Sequence, residues 1–344
     1  MKLTHILGAA ALTLGLSSAA SAADINGAGA SFPAPVYQAW AAAYKEKTGT
    51  GLNYQSIGSG GGQNQIVNRT VDFGASDAPM ADDKLASNNL LQFPTVIGSV
   101  VAIVNVDGVD GLVLDGSVLA DMYQGKITKW NDPKIAALNK DAKLPDLAIV
   151  PVYRSDSSGT SFVFTSYLAA TSADWKSNVG AATSVQWPAG AGAKGNEGVA
   201  GTVKNTKGAV GYVEFIYAAA NNLASTSLVN KAGKVVKPEI AAFMEAASAA
   251  DWAGAQNFAA SMIDTAGEGA WPIVSATYIL LPKNPTSAEQ SAATIKFFDW
   301  ALGPEGDAIA DKLHYIPLPD QVVEEVKKAW ASEVKADGKA VWTN

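Results

Sequence analysis

The feature that most constrains the fold is a repeated order of strand, glycine- and hydroxyl-rich loop, and helix. Residues 52–57 alternate between apolar and polar side chains, as strands do, and residues 58–62 read Gly-Ser-Gly-Gly-Gly before a helix-like stretch. Residues 27–33 and 154–160 are further loops of this kind, each followed by apolar residues at helical spacing. Successive strand–loop–helix units favour parallel strands covered by helices, so the sequence predicts an α/β fold.

The three loops also share a chemistry that suits an oxyanion. Glycine lets backbone amides approach a ligand closely, and the first amides of a helix lie unpartnered at the positive end of its dipole. Any one loop alone is more simply a set of caps and turns, and Ser31 stands where an N-cap is expected. The three together favour anion binding. The candidate donors are the hydroxyl of Ser31 with the amides of Ser31 and Phe32, the hydroxyl of Ser59, and the groups of Ser158, Gly159 and Thr160.

Arg154 is one of two arginines in the chain and follows a predicted strand at residues 149–153. A guanidinium group forms bidentate hydrogen bonds to phosphate-like oxygens, and Asp156 is placed to orient it. The alternative is a surface Arg–Asp pair, which contributes well under ~1 kcal/mol. We favour a binding role because the strand that ends at Arg154 is predicted to be buried.

Asp77 follows the predicted strand at residues 73–75. A carboxylate in an anion site repels its ligand unless the ligand carries a proton. Phosphate near neutral pH keeps a proton that it can donate to Asp77, whereas sulfate has none and leaves a buried charge unpaired, at a cost of several kcal/mol. The alternative is that Asp77 caps a helix beginning at residues 78–79, and the local sequence does not decide between the two.

Two long apolar runs, residues 96–104 and 271–281, predict strands that pass between two sheets. A chain of 344 residues with 48% hydrophobic content has more apolar residues than one core usually holds, which favours two domains. No linker rich in Pro or Ser separates them, so we expect the chain to cross between them more than once through short hinges. The predicted division is lobe I, residues 23–97 and 276–344, and lobe II, residues 98–275.

The first residues predict export. Lys2 precedes an apolar run at residues 6–16 and a small-residue site at residues 20–22, as in a secretory signal peptide. We therefore expect residues 1–22 to be removed before Ala23 and the mature protein to be soluble and exported.

Composition excludes several classes of function. The formal charge is −7, or −8 without Lys2, which argues against nucleic acids and anionic membranes as partners. The absence of cysteine excludes disulfides, thiolate metal sites and thiol nucleophiles. His314 is the one histidine after the predicted signal peptide and no Gly-x-Ser-x-Gly elbow exists, so we expect neither a metal, a cofactor nor an enzyme. Sulfate binding and a scaffolding role remain as alternatives.

At the level of ordered motifs, the chain resembles the periplasmic phosphate-binding proteins of Pst ABC transporters over essentially its whole mature length. That resemblance implies a two-lobed periplasmic binding protein of type II, in which each lobe is a mixed or mostly parallel sheet flanked by helices. Two crossover hinges join the lobes and close them on the ligand. The matching stretches are residues 27–35, 71–77, 93–98, 154–165 and 297–300.

The resemblance also implies a ligand and a partner: inorganic phosphate, delivered to ABC transporter permease subunits in the inner membrane, with a monomer as the simplest delivery form. Ser31 stands where many members have Thr, and Ser157 where some have Gly. Residues 24–27 read Asp-Ile-Asn-Gly, the tetrapeptide that names a secreted subgroup of phosphate binders. The implied phosphate shell is Ser31, Phe32, Ser59, Asp77, Arg154, Ser158, Gly159 and Thr160, with Asp156 orienting Arg154.

Overall fold

The computed structural model describes residues 24–109 and 111–343, so the predicted signal peptide at residues 1–22 lies outside the described residues. The strands are β1 (Ile25–Gly29), β2 (Leu52–Ser56), β3 (Phe73–Ser76), β4 (Leu90–Val104), β5 (Val113–Leu114), β6 (Val150–Arg154), β7 (Ala191–Ala193), β8 (Ala209–Glu214), β9 (Ala224–Ser225), β10 (Ser227–Val229), β11 (Val235–Val236), β12 (Met262–Ile263), β13 (Ile273–Pro282), β14 (Lys335–Ala336) and β15 (Lys339–Ala340).

The α-helices are α1 (Ala34–Thr48), α2 (Ser59–Val67), α3 (Asp82–Ser87), α4 (Gly116–Tyr123), α5 (Pro133–Leu138), α6 (Gly159–Thr171), α7 (Ala173–Asn178), α8 (Gly195–Asn205), α9 (Phe215–Ala220), α10 (Ile240–Ser248), α11 (Ala288–Ala301), α12 (Pro304–Lys312) and α13 (Asp320–Glu333). A short 3-10 helix covers Gln256–Phe258. Within the described ranges, no helix is both long enough and apolar enough to cross a membrane.

A mixed sheet holds the molecule together, with strands in the order β2-β1-β3-β13-β4-β8-β6-β7. β1 pairs in parallel with β2 and β3, and β6 pairs in parallel with β7 and β8, as the strand–loop–helix pattern predicts. β12 and β9 extend the sheet beside β13 and β4. Smaller sheets are formed by β11, β10 and β5 and by the β14–β15 hairpin.

The long strands β4 and β13 connect the two sets of parallel strands. β13 pairs with β3 on one side and antiparallel with the first part of β4 on the other, up to Ser99 opposite Val274. From Val100 onward β4 pairs instead with β8. All fifteen residues of β4 are buried, as expected for a strand covered on both faces. The sequence predicted both strands, although β4 begins six residues earlier than the predicted run.

The carboxyl ends of the two strand sets point toward each other. Ser76, at the end of β3, lies opposite Tyr278, which in turn pairs with Pro94. Glu214, at the end of β8, lies opposite Val100. Both ends therefore face the middle of β4, and the loops that follow them meet there. Ligands of open α/β sheets bind outside the carboxyl ends of strands, so this is where a site is expected.

Aromatic packing fixes the first helix and the C-terminal helices on the β1–β3 side of the sheet. Phe298 of α11 makes edge-to-face contacts with Phe73 and Phe93, at ring-centroid distances of 5.0 and 5.7 Å. Tyr37 of α1 shares a hydrogen bond of 2.7 Å with Thr95 of β4. Each aromatic pair of this kind adds about 0.5–1.5 kcal/mol of stability beyond that from its buried area.

The first glycine-rich stretch is not a loop, which corrects the sequence interpretation. Its glycines lie within β1, where a Cβ on Gly27 would be 2.1 Å from the ring of Phe73. Glycine is therefore needed for close packing.

The second glycine-rich stretch, residues 58–62, is also not the predicted loop. α2 begins at Ser59, and the glycines that follow Ser59 form the first turn of this helix. A Cβ on Gly62 would lie 2.6 Å from the carbonyl oxygen of Ala28. The helix can thus approach the strand closely, which brings Ser59 to the end of the sheet.

We expect Gly27→Ala to destabilise the fold, because its methyl group meets the ring of Phe73. An overpacked core of this kind loses about 1–3 kcal/mol or more. The measurement is the free energy of unfolding in urea. Gly201→Ala in α8 is the matched control, since a Cβ there meets nothing within 4 Å. The control should gain up to ~1 kcal/mol by restricting the unfolded chain, and equal stability of the two variants would contradict the packing explanation.

Candidate functional site

The site is built from residues that follow strands on both sides of β4. Ser31 follows β1, Ser59 follows β2 and Asp77 follows β3, while Arg154 ends β6 and Thr160 lies in the first turn of α6. Their exposed fractions are 0–3%. Polar and charged side chains are this deeply buried only when they are paired, so their partners define the site.

Ser59 connects the two sides of the sheet. Its Oγ accepts hydrogen bonds from the backbone amides of Asp77 (3.2 Å) and Gly159 (2.9 Å). A Cβ on Gly159 would lie 2.5 Å from Ser59 Oγ and 2.7 Å from Asp77 Oδ2. Only glycine therefore lets the start of α6 come this close to Asp77.

Asp77 is buried with one of its oxygens already bonded. Thr277 of β13 donates to Asp77 Oδ1 over 2.9 Å, whereas Oδ2 has a long 3.5 Å contact with Ser59 Oγ. Burial raises the pKa of Asp77 to about 7, although the Thr277 hydrogen bond and the charge of Arg154 act to lower it. The capping alternative is wrong, because α3 begins only at Asp82. Oδ2 is thus placed to accept a proton from a ligand.

Arg154 is held by Asp156 in the bidentate geometry expected of this pair. Its Nε donates to Asp156 Oδ1 (2.8 Å) and its Nη2 to Oδ2 (2.5 Å). Nη1 donates to Thr160 Oγ1 over 3.3 Å. Burial acts to raise the pKa of Asp156, but the hydrogen bonds and charge of Arg154 bring it below its usual value. Because a guanidinium has five N–H groups, two are left to donate to a ligand after these three contacts.

The start of α6 supplies further donors. Ser158 is the N-cap, and its Oγ accepts from the amide of Ser161 over 3.0 Å. Gly159 and Thr160 are the first residues of this thirteen-residue helix, so their amides lie at the positive end of its dipole, and that of Gly159 donates to Ser59 Oγ.

Ser31 does not cap α1, contrary to the sequence interpretation. The N-cap position is occupied by Pro33, and Ser31 Oγ instead accepts from the backbone N and the Nδ2 of Asn196, over 3.1 and 2.9 Å. Tyr217 donates to the carbonyl oxygen of Ser31 over 2.6 Å. The hydroxyl of Ser31 is therefore bonded to the β6–β8 side of the molecule and not to its own helix.

Phe32 is held by a third long-range contact, since the Tyr315 hydroxyl donates to its carbonyl oxygen over 2.6 Å. That hydrogen bond fixes the backbone at Phe32, and the amides of Ser31 and Phe32 were predicted to face the anion. Sequence reasoning missed this tyrosine, because nothing near it indicates a site.

Four residues of the network were missed from the sequence: Asn196, Thr277, Tyr217 and Tyr315. Asn196 had a readable signal, because it follows a glycine at the start of a helix, as the predicted donors do. Residues 190–198 contain β7 and the first turn of α8.

Two observations bear on the enzyme and metal alternatives considered from the sequence. His314 packs against the ring of Phe215 at a centroid distance of 5.5 Å. Among the residues that the structure describes, no three His, Cys, Asp or Glu side chains cluster closely enough to hold a metal ion.

Comparison with known proteins gives consistent results. A family described as the PBP superfamily domain matches residues 16–305. The phosphate-binding protein PstS of Pasteurella multocida (strain Pm70) is 50% identical over 324 residues, covering 93% of this chain and 94% of that protein. PstS of Haemophilus influenzae (strain ATCC 51907 / DSM 11121 / KW20 / Rd) is 48% identical and covers 94% and 97% of the two chains.

The chain belongs to the PstS family of phosphate-binding proteins. Its fold also matches the crystal structure of a phosphate-binding protein from Stenotrophomonas maltophilia, with a TM-score of 0.68 and 23% identity over 92% of this chain and 96% of that one. The predicted two-lobed α/β fold of a binding protein is therefore confirmed. The PstS relatives align over almost their full length, so the site described above lies within the shared region.

We expect the ligand-free protein to lose stability as pH rises, because the folded-state pKa of Asp77 lies above its unfolded value. Between about pH 4 and pH 7 the unfolded chain releases the Asp77 proton while the folded protein still holds it. The free energy of unfolding therefore falls by on the order of 4 kcal/mol over that interval. Asp77→Asn removes this loss. The measurement is the free energy of unfolding of both proteins at pH 4.5 and pH 8.

In that comparison the advantage of Asp77→Asn over the wild type should be a few kcal/mol larger at pH 8. Asp83→Asn, at an exposed position of α3, controls for the loss of a carboxyl group. A constant difference between Asp77→Asn and wild type at both pH values would contradict the raised pKa.

Proposed function

We propose that this chain binds hydrogen phosphate at the point where the two strand sets meet, and delivers it to an ABC-type permease. The observation that carries the proposal is a buried carboxyl group surrounded by hydrogen-bond donors. An anion without a proton can accept hydrogen bonds from the surrounding donors, but it cannot donate one to Asp77, so the carboxylate stays without a partner and repels the anion. An anion with one proton satisfies both, because it donates to Asp77 and accepts from the rest.

The proposed phosphate shell is the set predicted from the sequence. Arg154 provides the one formal positive charge, with Asp156 holding its guanidinium plane. Hydroxyl and amide donors come from both sides of β4, so neither side alone forms the site. The shell consists of Ser31, Phe32, Ser59, Asp77, Arg154, Ser158, Gly159 and Thr160.

We place the lobes and hinges as the sequence suggested. Lobe I is residues 23–97 and 276–344, lobe II is residues 98–275, and β4 and β13 are the two crossings. The change of partner along β4 from β13 to β8 supports a hinge near Ser99, and a register shift in β13 between Thr277 and Tyr278 supports the other. Closure about these strands brings Ser59 against Gly159.

The proposed role is uptake without catalysis, in the periplasm, after removal of residues 1–22. The resemblance to PstS proteins over nearly the whole chain supports delivery to permease subunits of the inner membrane. A monomer is the simplest form for that task, since one protein carries one ligand to the transporter.

We expect the ligand-free protein, prepared by unfolding and refolding, to bind phosphate one-to-one and to give no response to sulfate in calorimetry at neutral pH. Asp77→Asn should lower the preference for phosphate by about 100-fold or more, because the carboxamide can donate to a sulfate oxygen. Asp83→Asn is the control and should leave the preference unchanged. Sulfate binding by the wild type at similar strength would overturn the role of Asp77, and binding of neither anion would overturn the proposed function.

We also expect phosphate to compact the molecule, because the ligand bridges both lobes. Small-angle X-ray scattering of the ligand-free protein should give a smaller radius of gyration after phosphate is added. Sulfate at the same concentration is the control and should cause no change. An unchanged radius with saturating phosphate would contradict closure about β4 and β13.

A further inference from the structure

Asn196 contacts hydroxyl groups from both sides of the site. It is fully buried as the second residue of α8. Its Nδ2 donates to Ser31 Oγ (2.9 Å) and to Thr160 Oγ1 (3.2 Å), and its backbone N donates to Ser31 Oγ (3.1 Å). Both hydrogens of the carboxamide are thus used, one on each of two candidate ligand groups.

The orientation of this carboxamide is determined by a backbone group. Asn196 Oδ1 accepts from the amide of Glu214 over 2.9 Å. A backbone N–H can only donate, so a flipped side chain would place two donors against each other. The NH2 group therefore faces the hydroxyls and cannot accept from them.

The consequence concerns the hydroxyl protons. A hydroxyl oxygen has two lone pairs and one proton. Both lone pairs of Ser31 Oγ accept from Asn196, and those of Thr160 Oγ1 accept from Arg154 Nη1 and Asn196 Nδ2. Neither hydroxyl can accept from a ligand, so each proton is left to be donated to one.

We propose that Asn196 is a positioning residue that makes Ser31 and Thr160 act only as donors to the bound anion. The inference rests on the proposed phosphate binding and extends it to the direction of each hydroxyl proton. Because Asn196 lies on the β6–β8 side and Ser31 on the β1–β3 side, the orientation of Ser31 is set only when the two sides are in contact. Asp77 then remains as the acceptor for the single ligand proton.

Ser59 provides an internal comparison for this proposal. Its Oγ also accepts two hydrogen bonds, but both come from backbone amides, those of Asp77 and Gly159. Its own proton makes only a long 3.5 Å contact with Asp77 Oδ2, which a ligand oxygen can replace. Substitution of Asn196 therefore removes the orientation of two hydroxyls and leaves the third in place. A general disruption of the site would affect all three.

The first test is NMR of the full-length mature protein saturated with inorganic phosphate, using through-hydrogen-bond correlation between hydroxyl protons and phosphorus-31. Ser31→Ala, Ser59→Ala and Thr160→Val identify the three signals. In Asn196→Ala we expect the Ser31 and Thr160 correlations to disappear and the Ser59 correlation to remain. Retention of all three, or loss of all three, overturns the proposal.

The second test measures the phosphate dissociation constant of Asn196→Ala in two backgrounds. In the wild type the substitution should weaken binding about 10- to 100-fold, as expected for two misplaced hydrogen bonds to a charged ligand. In the Ser31→Ala/Thr160→Val background it should cost less than about 3-fold, because the groups it orients are gone. An equal loss in both backgrounds overturns the proposal and indicates a structural role.

Two further variants keep the tests decisive. Asn196→Asp retains the acceptor for the Glu214 amide and removes the side-chain donor, so it should lose the same two correlations even where Asn196→Ala does not fold. Asn205→Ala, an exposed asparagine at the end of α8, should bind phosphate as the wild type does. A wild-type protein that does not bind phosphate overturns the proposed function itself, whereas normal wild-type binding with equal losses in both backgrounds overturns only the role of Asn196.

Discussion

The antiparallel pairing of β4 with β13 is the constraint on which the rest of the structure depends. β13 pairs with β3 of one set of parallel strands, and β4 changes partner from β13 to β8 of the other set at Val100. The carboxyl ends of the two sets consequently face a common centre. A shift of one residue in this register would turn every side chain of β4 to the opposite face.

Three charged side chains lie at this centre: the guanidinium of Arg154 and the carboxyl groups of Asp156 and Asp77. Arg154 and Asp156 compensate each other, so the deep burial of the guanidinium is possible without a counter-ion. Within the described ranges Asp77 forms no ion pair, and burial raises its pKa to about 7. Asp77 is thus an acceptor placed among hydrogen-bond donors, which is the arrangement proposed above for a small anion that carries a proton.

Much of this arrangement could be predicted from the local sequence. The strand–loop–helix order indicated parallel strands, and glycine, serine and threonine at the helix starts indicated donors. The errors were local too: Gly27 lies in a strand because Phe73 packs on it, and Ser31 bonds to α8 instead of capping α1. In each case a residue distant in sequence overrode the local preference, as packing routinely does.

By itself, the sequence determined the fold class, the helix start that follows Ser158, and the presence of Arg154, Asp156 and Asp77 after predicted strands. Only the tertiary structure decided that Asp77 is buried beside Thr277 and does not cap a helix, and that Asn196 holds Ser31 and Thr160. These contacts join residues 36 to 200 positions apart. Periodicity and capping signals extend over a few residues, whereas the partner of a buried polar group is set by how whole strands and helices pack.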